Sequence, residues 1–208
     1  KLFADRLPPA SFDAAMRESL LDLCGLDWGR ISPAIFGSLF QSIMDAQARR
    51  NLGAHYTSEE NILKLIKPLF LDALWAEFEK IRGNKKRLTE FHAKLRTLTF
   101  FDPACGSGGM FVQSSHFIEE EGEDTTRRVT FYGQEKNPDT IRLAKMNLAV
   151  HGLDGRIAEA ITYYNDAHTL VGGCDFVMAN PPFNVDLVDA EQVKGDPRLP
   201  FGLPGVNK

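Results

Sequence analysis

Asp102–Gly109 reads DPACGSGG: an acid and a proline, then a run of small residues that holds three glycines. Thr99, Phe100 and Phe101 stand directly before it and Met110, Phe111 and Val112 directly after. Bulky residues, a small-residue turn and bulky residues again predict a strand, a tight loop and a helix. In a parallel sheet a ligand binds beyond the carboxyl ends of the strands. Glycine there lets backbone approach a ligand closely, because no Cβ intervenes. Two common phosphate loops are excluded. Gly106, Gly108 and Gly109 miss the GxGxxG spacing of a dinucleotide site, and no lysine follows them as a P-loop requires. Asp102 discriminates further. A carboxylate at the strand end repels a pyrophosphate and suits a cationic ligand; S-adenosylmethionine carries a sulfonium and an ammonium. The plain alternative is a tight strand–helix turn that holds no ligand.

The same grammar repeats outward. Leu98–Phe101 reads as a strand and Gly109–Glu121 as a helix. Val129–Gln134 is a second strand, and Asn137-Pro138 starts a helix with Ile141, Ala144 and Leu148 on its apolar face. Ile157–Thr162 is a weaker strand and Asp175–Ala179 a buried one. Strands alternating with helices predict an α/β fold with a parallel, Rossmann-like sheet. Nothing after Phe183 reads as a good strand, so Asp175–Ala179 is expected at a sheet edge. Before Thr97 the signals are helical. Ser32-Pro33 opens a stripe of Ile35, Phe36, Leu39, Phe40 and Ile43. Thr57–Glu60 (TSEE) has the form of a capping box, with Thr57 as N-cap, ahead of Ile62, Leu65, Ile66, Leu69 and Phe70. Pro68 should kink or break that helix, and Leu88–Leu95 reads as another. The expected division is a helical region over 1–97 and a Rossmann-like core over 98–208.

Bulk properties narrow the function. With 43% hydrophobic and 25% charged residues the chain can bury a core, and a net charge of −4 excludes a globally basic nucleic-acid binder. Cys24, Cys105 and Cys174 are odd in number and widely spaced, which fits neither a disulfide framework nor a metal cluster. Cys105 is expected as a small buried loop residue, Cys24 and Cys174 as core. No apolar run is long enough to span a membrane and no signal peptide opens the chain, so the expected compartment is the cytoplasm. The start without methionine and the Pro/Gly-rich end, GDPRLPFGLPGVNK, read as a piece of something longer.

Two further stretches carry chemistry. The second strand ends in GQEKNP, where Glu135 takes the place of the acid that accepts ribose hydroxyls in nucleotide-binding α/β folds; an ordinary surface glutamate is the alternative. After the fourth strand comes NPPF, Asn180–Phe183. Two prolines remove two N–H donors and stiffen the loop. The Asn180 side-chain oxygen and the Pro181 carbonyl are then placed to accept both hydrogens of an exocyclic amine, and Phe183 to stack on an extruded base. A plain Pro-rich turn is the alternative.

Taken together, HYTS (His55–Ser58), FFDPACGSGGMFV, GQEKNP and ANPPF resemble, in order, the motifs of the N6-adenine DNA methyltransferases of restriction–modification systems. From Phe101 on the chain is similar to type I modification subunits. Its first part, with IFGSLFQSIMD and RRNLGAHYTSEENILKLIKPLFLD, is closer to single-chain type IIL enzymes. The resemblance implies a class I S-adenosylmethionine-dependent methyltransferase core with an incomplete sheet. It implies Tyr56 and Thr57 at the cofactor's carboxylate end, and Asp102 on its ammonium. Pro103, Ala104, Gly106 and Gly108 would line it, with Glu135 on the ribose and Asp166 on the adenine, where Asn165 competes. Asn180, Pro181, Pro182 and Phe183 would hold the target base. Implied partners are double-stranded DNA and either specificity and restriction subunits or a covalent target-recognition domain. No Pro-Cys dipeptide is present, so a cysteine nucleophile of the cytosine-C5 type is not expected. Two alternatives stay open: a protein glutamine N5-methyltransferase, which also uses Asn-Pro-Pro before an aromatic, and an inactive truncated remnant.

Overall fold

A computed structural model describes residues 13–27, 57–120, 130–181 and 188–202, with the isolated positions 11 and 35. The Ser32-Pro33 helix start, the stripe after it, His55, Tyr56, Pro182 and Phe183 lie outside the described residues, apart from Ile35. Helix α1 (Ala14–Cys24) starts where Asp13 accepts a hydrogen bond from the Met16 N–H at 2.7 Å, and stops at Gly25. It buries none of its residues, so Cys24 is exposed rather than core. Cys174, the other cysteine expected inside, is only half-buried in the turn before the last strand.

Helix α2 (Glu59–Ile66) buries Ile62 and Ile66, one turn apart on one face. The expected capping box does not form. The N-cap is Ser58, no side chain caps the helix, and Glu60 reaches forward to Lys64 at 2.7 Å instead of back. Pro68 interrupts the α-helix without ending the helical run. The chain widens into one π turn (Lys67–Leu71), closed by the Asp72 N–H on the Lys67 carbonyl, and continues as α3 (Asp72–Ile81). A π turn tolerates the missing proline donor without ending the helix. It also leaves Phe70 and Leu71 buried. Helix α4 (Lys85–Leu95) is capped by Asn84 and buries Phe91 and Leu95.

Four parallel strands follow: β1 (Thr99–Asp102), β2 (Thr130–Glu135), β3 (Gly155–Glu159) and β4 (Phe176–Val177). Their order is β3-β2-β1-β4, the α/β arrangement expected from the sequence. Helices α5 (Gly109–Glu120) and α6 (Pro138–Val150) cross between β1, β2 and β3, and a short α7 (Ala190–Val193) comes late. Among the described residues β4 is an edge, as expected, with Val177 54% exposed, though it is shorter than the sequence suggested. Thr99 anchors it: its carbonyl accepts from the Asp175 N–H and its N–H donates to the Asp175 carboxylate.

One core joins α2, the π turn, α3 and α4 to the sheet. Phe100, Phe131 and Phe176 sit on one rung of three neighbouring strands. Phe70 from the π turn packs edge-on to Phe100 at 5.0 Å, and Phe111 from α5 meets Phe131 at 5.1 Å. Phe100, fully buried at the centre, touches all three of Phe70, Phe131 and Phe176. Phe100→Ala is therefore expected to cost about 3–5 kcal/mol of unfolding free energy. Urea denaturation measures it, and a loss below about 1 kcal/mol would contradict this packing.

Candidate functional site

The Asp102–Gly109 turn is pinned on three sides. The Cys105 N–H donates to the Gln134 carbonyl at 3.0 Å, tying the turn to β2. Gly108 N–H closes on the Cys105 carbonyl at 2.8 Å, and Asn147 of α6 donates to the Ser107 carbonyl at 2.9 Å. Gly106 and Gly108 lie in the left-handed region, at φ 52° and 78°, where side-chain-bearing residues are strained. A Cβ on Gly106 would meet no atom within 4 Å, so the turn presents bare backbone to open space there.

Asp102 ends β1 and is 1% exposed. Its Oδ1 accepts from the Ala104 N–H at 2.9 Å, whereas Oδ2 is buried without a hydrogen-bond partner. Burial pushes the carboxyl up to about 7; the Ala104 bond opposes this and nearby Glu135 adds to it. A buried, unpartnered carboxylate oxygen at a strand end is a place for a cation. Cys105 is buried too, and burial together with Asp102 and Glu135 holds its thiol well above the ordinary range. It is therefore no ready nucleophile.

Glu135 ends β2, half-buried, and its Oε1 accepts from the Asn137 N–H at 3.0 Å. Asn137 in turn caps α6. Asp166 is half-buried in the loop after β3, with Oδ1 3.4 Å from the Leu170 N–H. What holds that loop is Gln134, which the sequence reading passed over. Its fully buried amide donates to Thr162 Oγ1 (2.8 Å) and the Asn165 carbonyl (3.0 Å), and accepts from the Ala167 N–H (2.8 Å). Thr162 passes its own hydrogen to the Pro103 carbonyl. One side chain thus spaces the Asp166 loop from the Asp102 turn. Its sequence signal was a polar residue between apolar neighbours and the terminal Glu135 of β2. Arg198 was missed as well. It donates to the carbonyls of Thr162 and Tyr163 and pairs with Asp196, whose carboxylate it holds well below the usual range.

Asn180 and Pro181 are exposed just beyond β4. Phe101 pairs with Val177, so Asp102 and Asn180 emerge past the same end of two neighbouring strands. Asn180 Nδ2 donates to Thr57 Oγ1 at 2.5 Å. The structure therefore brings Thr57, Asp102, Pro103, Ala104, Gly106, Gly108, Glu135, Asp166, Asn180 and Pro181 to one edge of the sheet. Tyr56, Pro182 and Phe183 fall outside the described residues.

Comparison with known proteins identifies the family. The family model described as N-6 DNA Methylase matches residues 35–208. DNA methyltransferase A of Bacillus subtilis is 40% identical over 114 residues, 54% of this chain and 13% of that protein. The type I restriction enzyme MjaIX methylase subunit of Methanocaldococcus jannaschii is 44% identical over 105 residues, 50% of this chain and 18% of that protein. The chain thus spans less than a fifth of the length of these curated relatives. Among solved structures, the type IIL restriction–modification enzyme MmeI in complex with DNA superposes with a TM-score of 0.66 at 45% identity, over 86% of this chain and 30% of that one. A type I methyltransferase subunit from Streptococcus thermophilus shares the fold, at a TM-score of 0.56 and 22% identity, over 86% of this chain and 34% of that one. The fold is a Rossmann-like parallel α/β core shared with these methyltransferase structures.

Asp102 sets a pH dependence. Between the ordinary carboxyl value of 3.8 and about 7, the folded protein keeps a proton that the unfolded chain gives up. Stability should fall as pH rises through that window and then level off. Asp102→Asn is expected to flatten this fall in urea titrations from acid to neutral pH. Equal slopes in both proteins would show that Asp102 is not the buried acid described.

Proposed function

The chain belongs to the N-6 DNA methylase family, and from that premise we propose that it is the methyl-transfer core of a restriction–modification enzyme that methylates the N6 amine of adenine in double-stranded DNA. The observation that carries the reading is the pairing of two unengaged groups at one sheet edge. Asp102 Oδ2 is buried without a partner, and Asn180 Oδ1 accepts nothing among the described residues. One suits a cation; the other suits an amine donor. Double-stranded DNA is the partner on this reading, with specificity and restriction subunits or a covalent target-recognition domain supplying sequence choice in the cytoplasm.

S-adenosylmethionine fits the first group, and when bound it supplies an electrophilic methyl on a sulfonium. Asp102 would hold its ammonium, Glu135 its ribose hydroxyls and Asp166 its adenine, over the bare backbone of Gly106. Thr57 and Tyr56 would meet its carboxylate end. Asn180 Oδ1 and the Pro181 carbonyl would accept the two hydrogens of the target amine, and Phe183 would stack on its ring. Adenine N6 is a poor nucleophile because its lone pair is delocalised into the ring. Two accepted hydrogen bonds favour a tetrahedral nitrogen and localise that pair, and the fixed strand ends supply orientation. No covalent intermediate on the protein is needed, in keeping with the raised thiol of Cys105.

Detection of N6-methyladenine in duplex DNA after incubation with the methyl donor tests the reading; methylated glutamine, or no product, overturns it. Asp102→Ala should weaken cofactor binding about tenfold or more, the worth of a charge-assisted bond of roughly 1.5–3 kcal/mol. Because an ammonium beside Asp102 lowers its pKa from about 7, binding near neutral pH should release protons. Calorimetry in buffers of differing ionisation enthalpy reads this, and Asp102→Asn should abolish it. Asn180→Ala should remove methyl transfer and leave cofactor affinity near that of the unaltered protein.

A further inference from the structure

Thr57 and Asn180 meet across 123 residues of sequence through the Nδ2–Oγ1 hydrogen bond. Thr57 does not spend its hydroxyl on the helix that follows it, whose N-cap is Ser58. It stands instead at the head of an element fixed in the core by Ile62, 2% exposed, and Ile66, fully buried. Asn180, by contrast, is exposed at the end of a two-residue edge strand. An exposed asparagine amide rotates freely and presents either its oxygen or its NH2. Only the oxygen can bind an amine donor; the NH2 would set donor against donor.

We propose that Thr57 is a positioning residue: by accepting from Nδ2 it holds the Asn180 amide with Oδ1 turned to the target amine. This rests on the reading of Asn180 as acceptor for that amine. The bond does two things. It replaces a free rotor by one tethered to a helix anchored in the core by Ile62 and Ile66, which matters because an ångström of looseness in a reacting group is costly. It also polarises the amide, since an N–H that donates makes its own carbonyl a better acceptor. The motif ahead of the cofactor turn therefore reaches the target-base loop directly, and helix α2 becomes part of the catalytic edge of the sheet.

Thr57→Val removes the acceptor at nearly constant shape, and Thr57→Ser keeps it. At saturating S-adenosylmethionine, single-turnover methyl transfer to adenine-containing duplex DNA should fall about tenfold in Thr57→Val, the loss of one hydrogen bond near 1.4 kcal/mol, and recover in Thr57→Ser. A residue that only touched the cofactor would lose its effect at saturation, and that result would overturn the proposal. An independent readout needs no activity. In 15N NMR of the unliganded protein, the Asn180 side-chain amide, identified by its absence in Asn180→Ala, should carry one hydrogen-bonded, slowly exchanging proton. That proton should lose its shift and protection in Thr57→Val and keep both in Thr57→Ser. An unchanged amide in Thr57→Val would sink the proposal. If the unaltered protein methylates no DNA, the functional reading fails by itself and the amide signal still decides whether Thr57 holds Asn180. Should Thr57→Val not fold, Thr57→Ala makes the same comparison.

Discussion

The close approach of the Cys105 turn to strand β2 at Gly133 is the constraint on which the site depends. A Cβ at Gly133 would lie 2.8 Å from Cys105 Sγ and 2.7 Å from Ile157 Cδ1, nearer than atoms can sit without moving. Glycine there lets the turn lie flat on the strand, and the Cys105 N–H then reaches the Gln134 carbonyl. The flat turn buries Asp102, and burial is the first cause of its raised pKa. Packing thus produces the unusual carboxyl, and on the proposed reading that carboxyl is what takes up the cation. A side chain at Gly133 would disturb all three without touching any ligand.

Gln134, the next residue, carries the second constraint. Its backbone carbonyl holds the Cys105 turn while its buried amide holds the loop after β3. Both walls of the proposed cofactor cleft therefore hang on one residue of a central strand. A buried amide is costly unless every group on it is paired, and here the oxygen and both hydrogens are used. Arg198 extends the network outward. It bonds the carbonyls of Thr162 and Tyr163 from a segment that lies beyond the proposed target-base loop in sequence. The Asp189 N–H adds a bond to the Tyr164 hydroxyl at 2.9 Å. Asp189 and Arg198 thus fold back onto the wall of the proposed cofactor cleft, so the two halves of the proposed reaction share a frame.

Much of this was legible in the sequence because it is local. The strand–turn–helix rhythm around Phe100, Phe131 and Phe176 comes from apolar runs and glycine, and the parallel order follows from it. Asp102 stood out because an acid directly before a glycine-rich turn has few uses. The capping box at Thr57 failed because Glu60 had a nearer partner in Lys64, a competition that the TSEE pattern does not display. Pro68 predicts a kink or break in its helix, and the α-helix is indeed interrupted there, by a π turn. Widening by one residue accommodates a proline that has no N–H to donate and leaves Phe70 packed on Phe100. Residue type alone places Cys24 and Cys174 inside, but Cys24 lies on a helix that buries none of its residues and Cys174 is half-buried in a turn. Gln134, Thr162 and Arg198 were not legible, since a polar residue declares its partners only after the chain has brought them together.

The two acids at the strand ends show how the site can choose its ligand. Asp102 and Glu135 terminate neighbouring strands and repel one another, which raises Asp102 further. They are not equivalent. Asp102 is almost wholly buried with one oxygen unpartnered, so a neutral hydroxyl would leave most of its charge uncompensated. Glu135 is half-buried and already accepts from Asn137, so hydroxyl donors suffice for it. On the proposed reading a molecule with an ammonium at one end and a ribose diol at the other meets both demands, each at its own strand. A dinucleotide brings the diol but sets a pyrophosphate against Asp102. On that reading, rejection of that ligand and acceptance of the cationic one would both arise from one desolvated carboxyl, whose burial lowers the stability of the free protein near neutral pH and would be offset when the cation arrives.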